Sequence, residues 1–298
     1  MAAEALAGLA AKLRCPACRG ALEPGAGGWR CPSCARGFPV KDGVTYFHEK
    51  RLEDFERESD RNSDDLIAAL KLRIKRHPAL FSLFYLATGA FVGVKADDAV
   101  RGLPPGSLVI NVGSGSKFVG ANVVNLDYYA FPDVHIVADA TKLPFQDGSV
   151  DAVVCESLLE HAEDPEAIAR EIARVVRPGG MAYILVPFML GYHSAPSDYR
   201  RWTMSGLRGL FADFEETRGG TAFGPTVTLN HALSSWLALG LSFGSAKIYQ
   251  LLAAAIMALL SPLSQLDRLL ALHPNADDVA YAIYFLGRRK VSAGSGRS

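Results

Sequence analysis

The sequence predicts an α/β protein built on a doubly wound, mostly parallel sheet, and three features carry that expectation. The apolar, β-rich run VINVGSGS (109–116) breaks directly into a glycine–serine turn. Two later apolar runs, VVNLD and VHIVAD, end on Asp127 and Asp139, and a further one, DAVVCESLLEH (151–161), ends on acidic and histidine side chains. Continuous apolar runs suit parallel strands buried on both faces, and the ligands of such sheets gather outside the strands' carboxyl ends. A glycine turn that merely reversed the chain would not require acids closing two later strands.

A chain of 298 residues, 49% of them hydrophobic, has material for one large core with an attachment. Lysine plus arginine equals aspartate plus glutamate, 31 each, so no global positive field recruits nucleic acid. The opening MAAEALAGLAAKLR carries Glu4 early and has no basic leader, which argues against a secretory signal. Residues 1–48 hold Cys15-Pro-Ala-Cys18 and Cys31-Pro-Ser-Cys34 with twelve residues between the pairs, the layout of two metal knuckles joined by a hairpin. Four thiolates suit tetrahedral zinc; an iron centre uses the same donors, and a redox dithiol normally needs a single pair at a helix start. A segment this small cannot bury enough surface to fold alone, so bound metal is expected to supply most of its folding free energy. The fifth cysteine, Cys155, falls in an expected buried strand, and this thiol usage fits a reducing, cytoplasmic compartment.

Residues 49–104 read as a charged linker followed by apolar lid helices. Leu66, Ile67, Leu70 and Ile74 share one helical face, and residues 79–94 carry no charge before Lys95. The core occupies 105–224. Only about ten residues separate Val112 from Val123, fewer than the dozen or so a parallel crossover usually needs, so an irregular crossover or truncated helix is expected there. After the DAVVCE strand, Asp164 as N-cap and Pro165 at the first helical position start a helix with Ile168, Ile172, Val175 and Val176 on its apolar face, and Pro178-Gly179-Gly180 stops it. A strand over Met181–Pro187 and a short helix over Thr203–Phe211 follow. Residues 225–275 form an apolar helical insertion, with Lys247 the only charge from 231 to 266, and Gly240, Gly244 and Pro262 favour a hairpin over one long helix. The last strand and tail are assigned to 276–298.

Taken together, NVGSGS, NLD, DATKLPFQDGSVDAVVCESLLEH and EIARVVRPGG leading into MAYILVPF resemble the class I S-adenosylmethionine-dependent methyltransferases, in particular the group called methyltransferase domain type 11, over roughly residues 105–215 plus the final strand. The resemblance implies a Rossmann-like sheet whose last strand, within VAYAIYFLGRR, is antiparallel. It implies that the Gly113-Ser114-Gly115 turn lets the backbone approach the methionine part of the cofactor, that Asp127 binds the ribose, that Asp139 and Ala140 sit by the adenine, and that Glu156 and His161 lie on the active face, Glu156 toward the cofactor. Asn111 stands where the family usually has an acid, and Ser116 where it has a third glycine; Asn111 can still hydrogen-bond the methionine end. LRCPACRGALEPGAGGWRCPSCARGFPVKDGVTYF resembles the zinc-ribbon module known as a small activator subunit of tRNA and release-factor methyltransferases, here fused in cis.

Methyl transfer from a sulfonium is a direct displacement, so holding donor and acceptor in line supplies much of the acceleration. A base is needed only for a hydroxyl or protonated amine. The loop PFMLGYHSAPSDYRRWT (187–203) gathers polar groups after the MAYILVPF strand, which makes His193 the candidate base, Tyr199 and Arg200 the shapers of the acceptor pocket, and Asp198 and His161 their neighbours. The leading expectation is a cytoplasmic methyltransferase of a small or lipid-linked acceptor, whose two uncharged stretches either meet the inner face of the membrane or form a buried cap over a soluble-substrate cavity. The basic run Lys71, Arg73, Lys75 and Arg76 would meet anionic headgroups. An RNA or protein methyltransferase that docks its substrate on the ribbon, and a non-catalytic scaffold keeping the fold, are the alternatives; the balanced charge argues mildly against RNA.

Overall fold

The computed structural model describes residues 9–50, 53–55, 89–117, 119–120, 122–193 and 197–291. The expected helix through Leu66 and Ile74, the basic run 71–76 and most of the apolar stretch 79–94 lie outside them.

Four short strands come first: β1 (Glu23–Gly25), β2 (Gly28–Arg30), β3 (Gly37–Lys41) and β4 (Val44–Tyr46). The core adds β5 (Val109–Val112), β6 (Val123–Asp127), β7 (Ile136–Val137), β8 (Val150–Glu156), β9 (Val176–Pro187), β10 (Phe214–Phe223) and β11 (Ala282–Arg289). They form one sheet in the order β1-β2-β3-β4-β7-β6-β5-β8-β9-β11-β10. The run from β4 to β9 is parallel throughout, whereas β11 inserts antiparallel between β9 and β10. Every residue of β5 and β6 is buried, as strands covered on both faces must be. Among its described residues the crossover between them shows turns and no helix.

The described helices are α1 (Ala96–Arg101), α2 (Pro165–Val175), α3 (Met204–Leu210), α4 (Pro225–Leu241), α5 (Ala246–Leu260) and α6 (Asp267–Leu270). Asp164 caps α2 by accepting the Ala167 N–H at 2.8 Å, and Ile168, Ala169 and Ile172 are buried. Val176, expected on this helix, instead opens β9 and pairs with Val150. β10 had no counterpart in the sequence reading: Gly219, Gly220 and the charges of FEETRGG look like a loop, yet pairing with β11 holds them extended.

The cysteine-bearing segment is continuous with the core. β4 lies parallel to β7, with Thr45 opposite Ile136. Leu9, Leu13, Leu22 and Phe38 share one apolar cluster with Ile110, Leu126 and Phe145. Arg19, between the knuckle cysteines, grips the α2 residue Glu171 through both carboxylate oxygens at 2.8 and 3.1 Å, and Arg174 holds the same carboxylate from within the helix. Burial works against the Glu171 charge, but the two guanidiniums hold its carboxyl below the usual range. A depressed folded-state value gives stability that is present above the unfolded carboxylate range and lost as pH falls through the folded one. Glu171→Gln is therefore expected to lower stability near pH 7 by about 1–2 kcal/mol, with Arg19's exposure limiting the figure. Thermal melts at descending pH check this: the wild-type and variant curves converge as pH falls through the depressed folded-state value of Glu171.

Helices α4 and α5 form an antiparallel hairpin turning at 242–245. Buried Asp267 ties its base to the core by accepting the first backbone N–H groups of α4, from Thr226 at 2.8 Å and Val227 at 3.3 Å. Away from that base, Leu229, Trp236, Leu239, Phe243, Leu251 and Leu259 are exposed.

Candidate functional site

A cavity of about 2040 Å³ runs from the carboxyl ends of β5, β6 and β8 to the segment 103–109 that leads into β5. At one end lies the turn after β5. Gly113 and Gly115 have φ of +71° and +52°, the left-handed region that glycine enters without strain. A Cβ on Gly113 would also meet Leu158 at 2.9 Å, so this position has neither the backbone nor the space for a side chain. Asp127, at the end of β6, fixes the turn: one carboxylate oxygen accepts the Gly115 N–H at 2.8 Å and the other the Tyr129 N–H at 3.0 Å. Asp127 also lines the cavity.

Asp139 caps the short 3₁₀ turn Ala140–Lys142 by accepting from the Thr141 backbone, and Asp139, Ala140 and Thr141 all line the cavity. Ser114 and Glu156 line it too. Glu156 is almost fully buried and pairs with Lys117 Nζ at 2.5 Å. Ser157, directly after β8, sits at φ +51°, a strained conformation for a non-glycine residue at a strand end facing a ligand space. The sequence reading missed it, because no residue-type signal marks it.

Asn111 departs from expectation. It lies within β5 in register with Asn125, its amide donates to Asn125 Oδ1 at 3.3 Å, and it does not line the cavity. Asn111 is buried within the sheet with its amide spent on Asn125, and the glycine turn that lines the cavity begins after Val112.

The 187–203 loop is also arranged differently. His161 and Tyr199 line the cavity; His193, Asp198 and Arg200 do not. Arg200 donates to the Ala162 and Glu163 carbonyls, fastening the loop to the segment after β8. Asp198 is buried, takes a two-pronged contact from Arg201 and accepts the His193 N–H at 2.8 Å. Burial opposes the Asp198 charge, but Arg201 and that N–H hold its carboxyl below the usual range. His193 therefore meets His161 edge-on, ring centroids 4.9 Å apart, and does not line the cavity. Tyr199 donates to Glu163 at 3.0 Å and its backbone N–H reaches the Glu160 carbonyl at 2.7 Å.

Glu160 was outside the expected site, yet it is the most unusual ionisable group in it. Its side chain is fully buried, and burial above all, with Asp198 adding repulsion, raises its carboxyl to about 8. Cys155 is fully buried as well; burial and then the neighbouring carboxylates push its thiol up, leaving it inert.

At the opposite face, the Sγ atoms of Cys15, Cys18, Cys31 and Cys34 all lie within 4.8 Å of one another, with Cys15–Cys34 at 3.6 Å and Cys18–Cys31 at 3.4 Å. Tetrahedral thiolates on one zinc stand about 3.8 Å apart, so the cluster fits such an ion with little movement.

Residues 117–184 match the methyltransferase domain family. The matched stretch runs from the turn after β5 into β9. A Mycobacterium sp. (strain JLS) protein described as an uncharacterized methyltransferase is 32% identical over 129 residues, 34% of this chain and 51% of its own length. A demethylmenaquinone methyltransferase of Mycolicibacterium vanbaalenii is 43% identical over 100 residues, 32% of this chain and 44% of its own. The chain spans about half the length of the curated relatives it matches. Among solved structures, a complex of the Haloferax volcanii Trm112 methyltransferase activator with a methyltransferase aligns at TM-score 0.43 and 18% identity, over 66% of this chain and 88% of that one.

Proposed function

We propose that this protein transfers a methyl group from S-adenosylmethionine to a small or lipid-linked acceptor reached from a membrane surface, with zinc in the four-cysteine cluster. The observation that carries the reading is the cavity itself. It holds the glycine turn, Asp127 and Asp139 at one end and extends to Gln265 and Arg268 at the root of the apolar hairpin. Its volume exceeds the roughly 300–1,000 Å³ that a single ligand occupies, so a second, bulky molecule has room beside the cofactor.

In this reading the Gly113–Gly115 turn takes the methionine end, Asp127 accepts from the ribose hydroxyls, and Asp139 with Ala140 borders the adenine. The bound cofactor supplies an electrophilic methyl group. The protein contributes alignment and exclusion of water, with His161 and Tyr199 walling the acceptor side. Relatives named for ubiquinone biosynthesis and for demethylmenaquinone support an apolar acceptor. So does the run Ala246–Leu270, whose most apolar window has mean hydropathy 1.5 and is unburied. Laid flat on a bilayer, the hairpin would bury Trp236, Leu239, Phe243 and Leu251 in the interface.

Transfer of labelled methyl groups into a fractionated lysate tests the reaction, with label expected in the lipid or small-molecule fraction. Label in RNA, with RNA retention falling steeply as salt rises, would replace this reading with the docking-ribbon one. Flotation with anionic liposomes tests the surface: protein that stays at the bottom with and without salt leaves the hairpin as a cap over the cavity.

A further inference from the structure

Beside the cavity, the 3₁₀ turn Leu159–His161 and the 187–203 loop bring together Glu160, His161 and His193, whose donor atoms lie within 4.8 Å of one another. The two histidine Nε2 atoms stand 3.8 and 3.9 Å from the same oxygen, Glu160 Oε1. These separations are too long for hydrogen bonds and slightly wider than the roughly 3.4 Å between donors that share one ion at bond lengths near 2.1 Å.

The outer contacts of both rings also direct the Nε2 atoms inward. His161 Nδ1 is 2.5 Å from the Ser197 carbonyl oxygen; a carbonyl only accepts, so Nδ1 carries the proton and the Nε2 lone pair faces Glu160. His193 Nδ1 stands 3.4 Å from Asp198 Oδ2, and Asp198 is itself held by Arg201. The carbonyl behind His161 is the support that metal-bound histidines ordinarily have. At the centre, Glu160 is fully buried, and neither carboxylate oxygen accepts a hydrogen bond among the described residues. A buried, unsatisfied carboxylate is costly unless something positive meets it.

We propose that Glu160, His161 and His193 form a second metal site, distinct from the cysteine cluster, which takes one divalent transition-metal ion. Two neutral imidazoles and one carboxylate select ions of the zinc, cobalt, manganese or iron class over calcium or magnesium. Three protein donors leave coordination positions for water or another oxygen ligand. Since His161 lines the cavity and Glu160 lies behind it, the ion would sit in the cavity wall.

The test is titration of Co²⁺ into the full-length protein with its cysteine cluster already loaded. One further equivalent is expected to bind, with the visible absorption of nitrogen and oxygen coordination and without a sulfur-to-cobalt charge-transfer band. His193→Ala and His161→Ala should each weaken it at least tenfold. In the unmodified chain, Co²⁺ should shift the ring-proton resonances of exactly these two histidines out of the ordinary NMR window, a reading that holds even if a substituted chain fails to fold. Absence of binding at millimolar Co²⁺, binding that carries the charge-transfer band, or binding with unshifted histidine signals overturns the proposal.

Discussion

Replacing Asp127 with alanine is expected to weaken S-adenosylmethionine binding by about a hundredfold or more, because each hydrogen bond to a charged acceptor contributes roughly 1.5–3 kcal/mol. The same change also strips the acceptor from two backbone donors, Gly115 N–H and Tyr129 N–H, that hold the cofactor turn against β6. Leaving such donors unsatisfied costs about 1–3 kcal/mol each, so a lower melting temperature should accompany the lost affinity. Asp127→Asn separates the two effects: its remaining carbonyl oxygen can keep one backbone contact, so it should recover much of the stability while affinity stays low. Calorimetric titration beside thermal melts provides both readings. Unchanged affinity in the alanine variant would mean that Asp127 serves the turn alone and that the cofactor lies elsewhere.

What the sequence discloses about this molecule is what neighbouring residues decide. The buried runs of β5, β6 and β8, the Asp164–Pro165 start of α2 and the positive-φ glycines are local consequences of residue type, and they already locate the ligand end of the sheet. Register and burial are not local. β10 is invisible because Gly219 and Gly220 read as a turn until β11 pairs with them. His193 attracts attention as a loop histidine, yet its place behind His161 depends on Asp198 and Arg201 packing beneath it. Glu160, one position before His161, looks like an ordinary helix-start acid; only the assembled fold shows it sealed from water. Asn111 is the instructive intermediate, since only the register of β5 against β6 shows its amide spent on Asn125 rather than turned to the cavity.

The larger consequence of that non-local packing falls on the cysteine cluster. Read from sequence, residues 1–48 are a small module whose bound metal supplies most of its folding free energy. The fold extends that support to the core. Leu13, Leu22 and Phe38 belong to the same apolar cluster as Ile110 and Phe145, β4 completes the sheet edge at β7, and Arg19 is anchored on α2. Structural zinc in small modules contributes about 10–16 kcal/mol of apparent binding free energy, comparable to the entire 5–15 kcal/mol stability of a typical domain. Loss of the metal should therefore uncover part of the sheet's own core. Chelation, or Cys31→Ser, is expected to lower the melting temperature of the whole protein in a single broadened transition, while Cys155→Ser leaves the metal content unchanged. Metal analysis paired with scanning calorimetry checks this. Two separate transitions, with the upper one where the loaded protein melts, would show that the cluster hangs on the core without supporting it.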